Sequence, residues 1–203
     1  ADVAALPHIT LPMANGPVGI AETQQQGGKG ESLLEISAAV ERARAAEAAH
    51  SAKYGKLWEV KDAVTAATMW NYIYVPTEYG PFLPVSRSWN FVKYSSGEDW
   101  NYVIFDWDNF FASYLSASDS RAKNIAYSNL IQVTKSRTSK GFVPNYSAGG
   151  SKSVDRTEPP IGAYVLREIY EKFGDLWLVE LLFDDLLDWN NWFATERALG
   201  PLG

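Results

Sequence analysis

The sequence predicts an all-α protein: a stack of α-hairpins carrying a small irregular β insertion. Three observations lead there. Helical periodicity marks six separate segments, short turns join them in pairs, and strand-like residues are confined to one proline-rich stretch before the middle of the chain. With 203 residues the chain can bury a substantial core, and length alone fits one or two domains.

Residues 1–30 read as an extended arm and flexible linker. Pro7, Pro12 and Pro17 interrupt short apolar runs, and Thr23 to Gly30 is polar and glycine-rich. Residues 31–203 carry the helices. The first runs from Glu31 to Ala52, where Leu33, Leu34, Ser37 and Val40 share a face and an alanine-rich run has high helix propensity; Gly55 ends it. The second fits Leu57 to Tyr72, with Trp58, Val64, Ala67 and Tyr72 on one side. The period then changes. Ile73, Val75, Phe82, Val85, Trp89 and Phe91 sit among Pro76, Gly80, Pro81 and Pro84, as in short strands or an irregular hairpin laid over helices. Tyr94 to Tyr102 reads as a polar loop. A third helix starts near Asp108 and reaches Leu115; a fourth spans Asp119 to Arg137. The loop 139–157 contains Gly141, Pro144, Gly149, Gly150 and four serines, and its length points to a purpose. Pro159-Pro160 suits the first turn of a fifth helix that ends at Gly174, and Asp175 caps a sixth, Leu176 to Arg197. On that last helix Trp177, Leu181, Trp189, Trp192 and Phe193 need further partners to bury them.

Composition removes several classes of function. A net charge of −6 and the lack of any basic run leave nucleic-acid binding without its electrostatic basis. The chain has no cysteine, which excludes disulfides, thiolate metal sites and cysteine nucleophiles. No apolar run is long enough to span a membrane. His8 and His50 have no clustered partners, so neither a metal site nor a Ser-His-Asp triad is expected, and no cofactor is implied. Asp184, Asp185 and Asp188 read as a solvated helix face. The start at Ala1 reads as a processed or engineered one. Asn145-Tyr146-Ser147 is a glycosylation sequon and the one feature that leans toward secretion.

Eight tryptophans, eleven tyrosines and nine phenylalanines exceed what a core of this size usually needs. Two stretches concentrate them with charge. Phe105-Asp106-Trp107-Asp108 runs into a helix, and Asp155-Arg156-Thr157-Glu158-Pro159-Pro160 approaches another. An aromatic face stacks on a pyranose ring, and carboxylates and guanidinium groups fix its hydroxyls, so together these are the parts of a sugar pocket. Asp108 also suits a helix cap, and Glu158 a helix start favoured by the macrodipole. Either Asp106 or Asp108 fits a general acid or a hydroxyl-binding carboxylate. Asn145 adds hydrogen-bonding capacity, and Ser86-Arg87-Ser88-Trp89 forms a third, weaker element.

In this order the segments resemble the glycoside hydrolases of family 63 and their trehalase relatives, which fold as (α/α)6 barrels. Phe105 to Phe111 is similar to that family's aromatic Trp-Asp segment. Asp155 to Pro160 is similar to its Arg-Ser-Gln-Pro-Pro loop, with Thr157 and Glu158 in place of Ser and Gln. Ile73-Tyr74-Val75-Pro76 through Ser86-Arg87-Ser88-Trp89 resembles the run before the Trp-Asp element. The likeness spans roughly residues 57–200. It implies sugar-binding roles for Trp107, Asp108, Asn145 and Arg156, with Arg87, Trp89, Phe105 and Glu158 as further substrate-binding candidates. It also implies about half of an (α/α)6 barrel, because six helices are half of twelve. The family's Glu-Ser-Gly-x-Asp type motif and its general base are absent from these 203 residues. The resemblance therefore implies an inverting α-glycosidase acting on glucosides or mannosides, active only with a companion polypeptide that brings the general acid and base. The expected partners are that second chain and a small carbohydrate, with no nucleic acid and no membrane. A non-catalytic carbohydrate-binding helical protein is the alternative.

Overall fold

The structure, a computed structural model, describes residues 32–75, 80–84, 102–148 and 151–200. The protein is mostly helical with small antiparallel sheets. It divides into two compact units, Ala1–Trp58 and Glu59–Gly203.

In the first unit, α1 covers Leu33–Ser51. Its start is a capping box: the Ser32 hydroxyl accepts the Glu35 N–H, and the Glu35 carboxylate accepts the Ser32 N–H. These bonds hold the Glu35 carboxyl below its ordinary range. The expected apolar face of α1 is exposed at Leu33, Leu34 and Val40. A 3-10 turn, Ala52–Leu57, follows, with Gly55 at φ 55 ending the helix as its sequence predicts.

The unit boundary falls after the first residue of α2, Trp58–Trp70, so the first expected hairpin is divided between the units. The buried side chain of α2 is Lys61, whose ammonium lies 3.6 Å from the buried Asp119 carboxylate. The anticipated irregular hairpin is present as β1, Ile73–Val75, paired antiparallel with β2, Gly80–Phe82. Residues 85–101, including Arg87 and Trp89, lie outside the described residues.

Two helical hairpins form the core. The first joins α3, Asp106–Ser116, to α4, Lys123–Lys135. The second joins α5, Gly162–Phe173, to α6, Leu176–Glu196, through Gly174 in the left-handed conformation at φ 73. α3 packs on α4 and α5, and α4 on α6. Along α6, Leu178, Leu182, Leu186, Trp189 and Trp192 are buried, a helix-period stripe. Trp189 stacks on Phe110 and Trp192 tilts against Phe142. The expectation that α6 needs outside partners is thus corrected for Trp189 and Trp192, while Trp177 and Leu181 remain exposed. Gly162 explains the close approach of α5: a Cβ there would lie 2.7 Å from both Leu186 and Phe110.

Several boundaries differ from the sequence reading. α3 starts at Asp106, two residues before the expected Asp108. Asp119 caps a short 3-10 turn, Ser120–Ala122, and α4 begins only at Lys123. Pro159 and Pro160 precede α5, which starts at Gly162. Asp175 stands at the N-cap of α6, yet its carboxylate turns to Lys123 and the Tyr127 hydroxyl. The stretch 102–157, read as loop on either side of two helices, contains a three-stranded antiparallel sheet: β3, Val103–Phe105; β4, Tyr146–Ala148; β5, Ser151–Lys152. These strands are two or three residues long and have no room for a period-2 pattern.

The buried face of α3 is unusually polar: Asp106, Asn109, Ser113 and Ser116 beside Phe110. Asn109 and Asn129 make this possible. The Asn109 amide donates to the Leu83 carbonyl (2.7 Å) and to Asn129 Oδ1 (3.1 Å), and its own oxygen accepts the Phe105 N–H. Asn129 in turn donates to the Asn109 carbonyl and to Ser113 Oγ, and accepts the Leu83 N–H. Every amide atom of both side chains is matched, which is what burying them requires.

Candidate functional site

The candidate residues meet where the β3–β4 sheet delivers the chain into α3. Phe105 pairs with Tyr146 across the sheet, and the Asp106 N–H donates to the Asn145 carbonyl at 3.2 Å. The Asn145 N–H then reaches the Arg156 carbonyl at 3.1 Å. Two segments about fifty residues apart are thereby stitched together by backbone bonds.

Glu158 completes the seam. Its carboxylate accepts the Trp107 N–H at 3.1 Å and the Asn145 side-chain amide at 2.8 Å. This corrects two expectations. Glu158 was placed by sequence at the start of α5, but it serves the amino end of α3. Asp108 was a candidate cap for α3, but the N-cap is Phe105 with no side-chain bond, and the free N–H of Trp107 is satisfied from outside by Glu158. Burial holds the Glu158 carboxyl above its ordinary range, and Asp108 adds to that; the Trp107 N–H, Asn145 and Arg156 pull the other way.

Around this brace the exposed groups are Trp107 at 42% exposure, Asp108 and Arg156. Among the described residues no hydrogen bond or ion pair engages the Asp108 carboxylate or the Arg156 guanidinium. They remain available to a ligand. Phe105 is half-buried, and its backbone pairs with Tyr146. The sequon is not a free surface acceptor, because the Asn145 amide nitrogen is committed to Glu158 and Ser147 is buried.

Asp106 is the residue that sequence reasoning undervalued. Its side chain is 0% exposed. One oxygen, Oδ2, lies 2.9 Å from the Glu158 N–H and 3.0 Å from Thr157 Oγ1; the other, Oδ1, has no partner. Burial pushes its pKa up to about 8, opposed by the bonds from Glu158 and Thr157 and reinforced by the charges of Glu158 and Asp108. A signal was available. Residues two apart on a helix point about 200° away from each other, so Asp106 and Asp108 cannot both face solvent. Thr157 Oγ1 also accepts the indole N–H of Trp189 at 3.0 Å, linking the seam to α6.

The acidic face of α6 is ion-paired: Asp185 binds Lys135 and Arg137, both at 2.6 Å, and Asp188 binds Arg137 at 2.9 Å. Among the described residues no cluster of three potential metal ligands occurs, and no helix is long and apolar enough to cross a membrane. A groove of about 550 Å³ runs between α5 and α6, lined by Leu166, Tyr170, Val179, Phe183 and Leu187, and contains none of the candidate residues. Comparison with protein-family models, curated proteins and solved structures finds no match to this chain.

Proposed function

We propose that this chain is the sugar-binding part of an inverting α-glycosidase completed by a companion polypeptide. One observation carries the reading: Trp107 and Asp108 from one segment converge with Asn145, Arg156 and Glu158 from another, leaving an aromatic face, a carboxylate and a guanidinium exposed together around a braced helix end. The Trp107 face suits stacking on a pyranose ring. Asp108 accepts from sugar hydroxyls and Arg156 donates to them as a planar fork. Glu158 is already bound on both oxygens, so its role is to hold Trp107 and Asn145 still. The general acid would protonate the leaving oxygen and the general base would activate water on the opposite face, the two carboxyls about 6.5–9.5 Å apart. Both belong to the companion.

The need for a companion is supported by α3 itself. Its buried face is polar, while Trp107, Phe111, Tyr114 and Leu115 are exposed along the other side. A helix that faces its aromatics outward has a second surface to cover.

The test is Asp108→Ala in the assembled protein. Its exposed, unbonded side chain predicts an unchanged unfolding temperature and a kcat/KM lowered about a hundredfold or more. Near-normal hydrolysis sinks the assignment. The alternative, a non-catalytic carbohydrate-binding protein, draws on the closed core of α3 to α6. Native mass measurement separates the two: the first requires a second polypeptide bound to this one, the second a folded monomer of 22.5 kDa.

A further inference from the structure

We propose that Asp106 is a proton-operated latch, holding the 143–158 segment onto the amino end of α3 while neutral and releasing it when ionised. The inference is independent of any sugar-binding role. It starts from a count of hydrogens at Thr157 Oγ1. That hydroxyl has one hydrogen and two lone pairs. The Trp189 indole N–H takes one lone pair at 3.0 Å. Three acceptors surround the single hydrogen: the Val143 carbonyl at 2.5 Å, Asp106 Oδ2 at 3.0 Å and the Glu158 carbonyl at 3.3 Å. With the hydrogen on the nearest, the Val143 carbonyl, the contact between Thr157 and Asp106 holds a proton only if the carboxyl brings it. A neutral Asp106 therefore closes the network, donating to Thr157 and accepting the Glu158 N–H at 2.9 Å.

An ionised Asp106 opens it. Either Thr157 abandons Val143, or two lone-pair-bearing oxygens face each other at 3.0 Å. In both cases a fully buried charge stands with Oδ1 unpartnered. Among the described residues no cation relieves it. The charged groups facing Asp106 are Glu158 from the latched segment and Asp108 from its own helix, both acidic, while α6 presents the neutral Trp189 indole. Arg156 acts on Glu158. Burial, raising the carboxyl to about 8, agrees with the hydrogen count. The closed state keeps a proton that the open state releases near pH 4. The opening equilibrium therefore grows tenfold per pH unit from about 4 to about 8, then levels.

Amide hydrogen exchange on the full chain reads this at the Glu158 and Trp107 N–H groups, which lock the seam. In the wild type, exchange should climb about a hundredfold per pH unit between pH 5 and 8: tenfold from base catalysis of exchange and tenfold from opening. In Asp106→Asn, which has no proton to lose, it should climb about tenfold. Equal slopes in the two proteins overturn the latch. If the variant does not fold, a carbon-13 titration of the Asp106 carboxyl in the wild type decides alone. An inflection near pH 8 supports the proposal, and one near pH 4 overturns it.

Discussion

Asn109 and Asp106 lie one helical turn apart on α3, both with 0% exposure, and they show opposite ways of burying a polar side chain. Asn109 is matched at every atom, tying α3 to α4 and to residue 83. Among the described residues Asp106 leaves Oδ1 without a partner and shares Oδ2 between the Glu158 N–H and Thr157 Oγ1. A neutral amide has donors and an acceptor in fixed supply, so a core can be built around it at little cost. A carboxyl matches its surroundings only in one protonation state. The first arrangement is structural. The second makes the strength of the seam depend on pH.

Exchanging the two chemistries breaks the comparison most forcibly. Asn109→Asp removes the donors to Leu83 and Asn129 and buries a charge; about 3–5 kcal/mol should be lost at neutral pH, less in acid where the new carboxyl can donate. Urea unfolding at pH 5 and pH 8 checks both magnitude and sign. Gly162→Ala tests whether the close approach of α5 supports the Asn109 and Asp106 ends alike. Its Cβ would meet the Phe110 and Leu186 side chains at 2.7 Å, and overpacking should cost about 1–3 kcal/mol with no pH dependence. Thr157→Val sharpens the Asp106 side alone. It orphans the Trp189 N–H, for about 1–2 kcal/mol by urea unfolding. Asp106→Asn is the change whose effect depends most on pH. It should be near neutral at pH 5 and become stabilising relative to the wild type as pH rises. The sign follows because the wild-type fold retains a proton, with a pKa raised from 3.8 to about 8, that the unfolded chain gives up.

Much of the helical framework was readable. Leu178, Leu182, Leu186 and Trp189 recur at helical spacing, and Gly174 sits where a left-handed residue must end α5. The candidate site was readable in part. Trp107, Asp108, Asn145, Arg156 and Glu158 were singled out and are neighbours or bound to one another. What escaped was the direction of each side chain. Glu158 looked like the start of its own helix and instead braces α3. Of the two aspartates flanking Trp107, the buried one carries the more perturbed chemistry. The capping box of Ser32 and Glu35 is legible from its spacing alone.

The sequence by itself determined the mostly helical character, the turn at Gly174 and the residue types that cluster around Trp107, because propensity, period and turn chemistry act over a few neighbouring residues. Only the tertiary structure decided which aspartate is buried, that Asn109 finds Asn129, and that Thr157 stands between Trp189 and Asp106. Those outcomes depend on contacts twenty to fifty residues apart, where matching donors to acceptors and excluding water are properties of the packed interior and leave no local pattern in the chain.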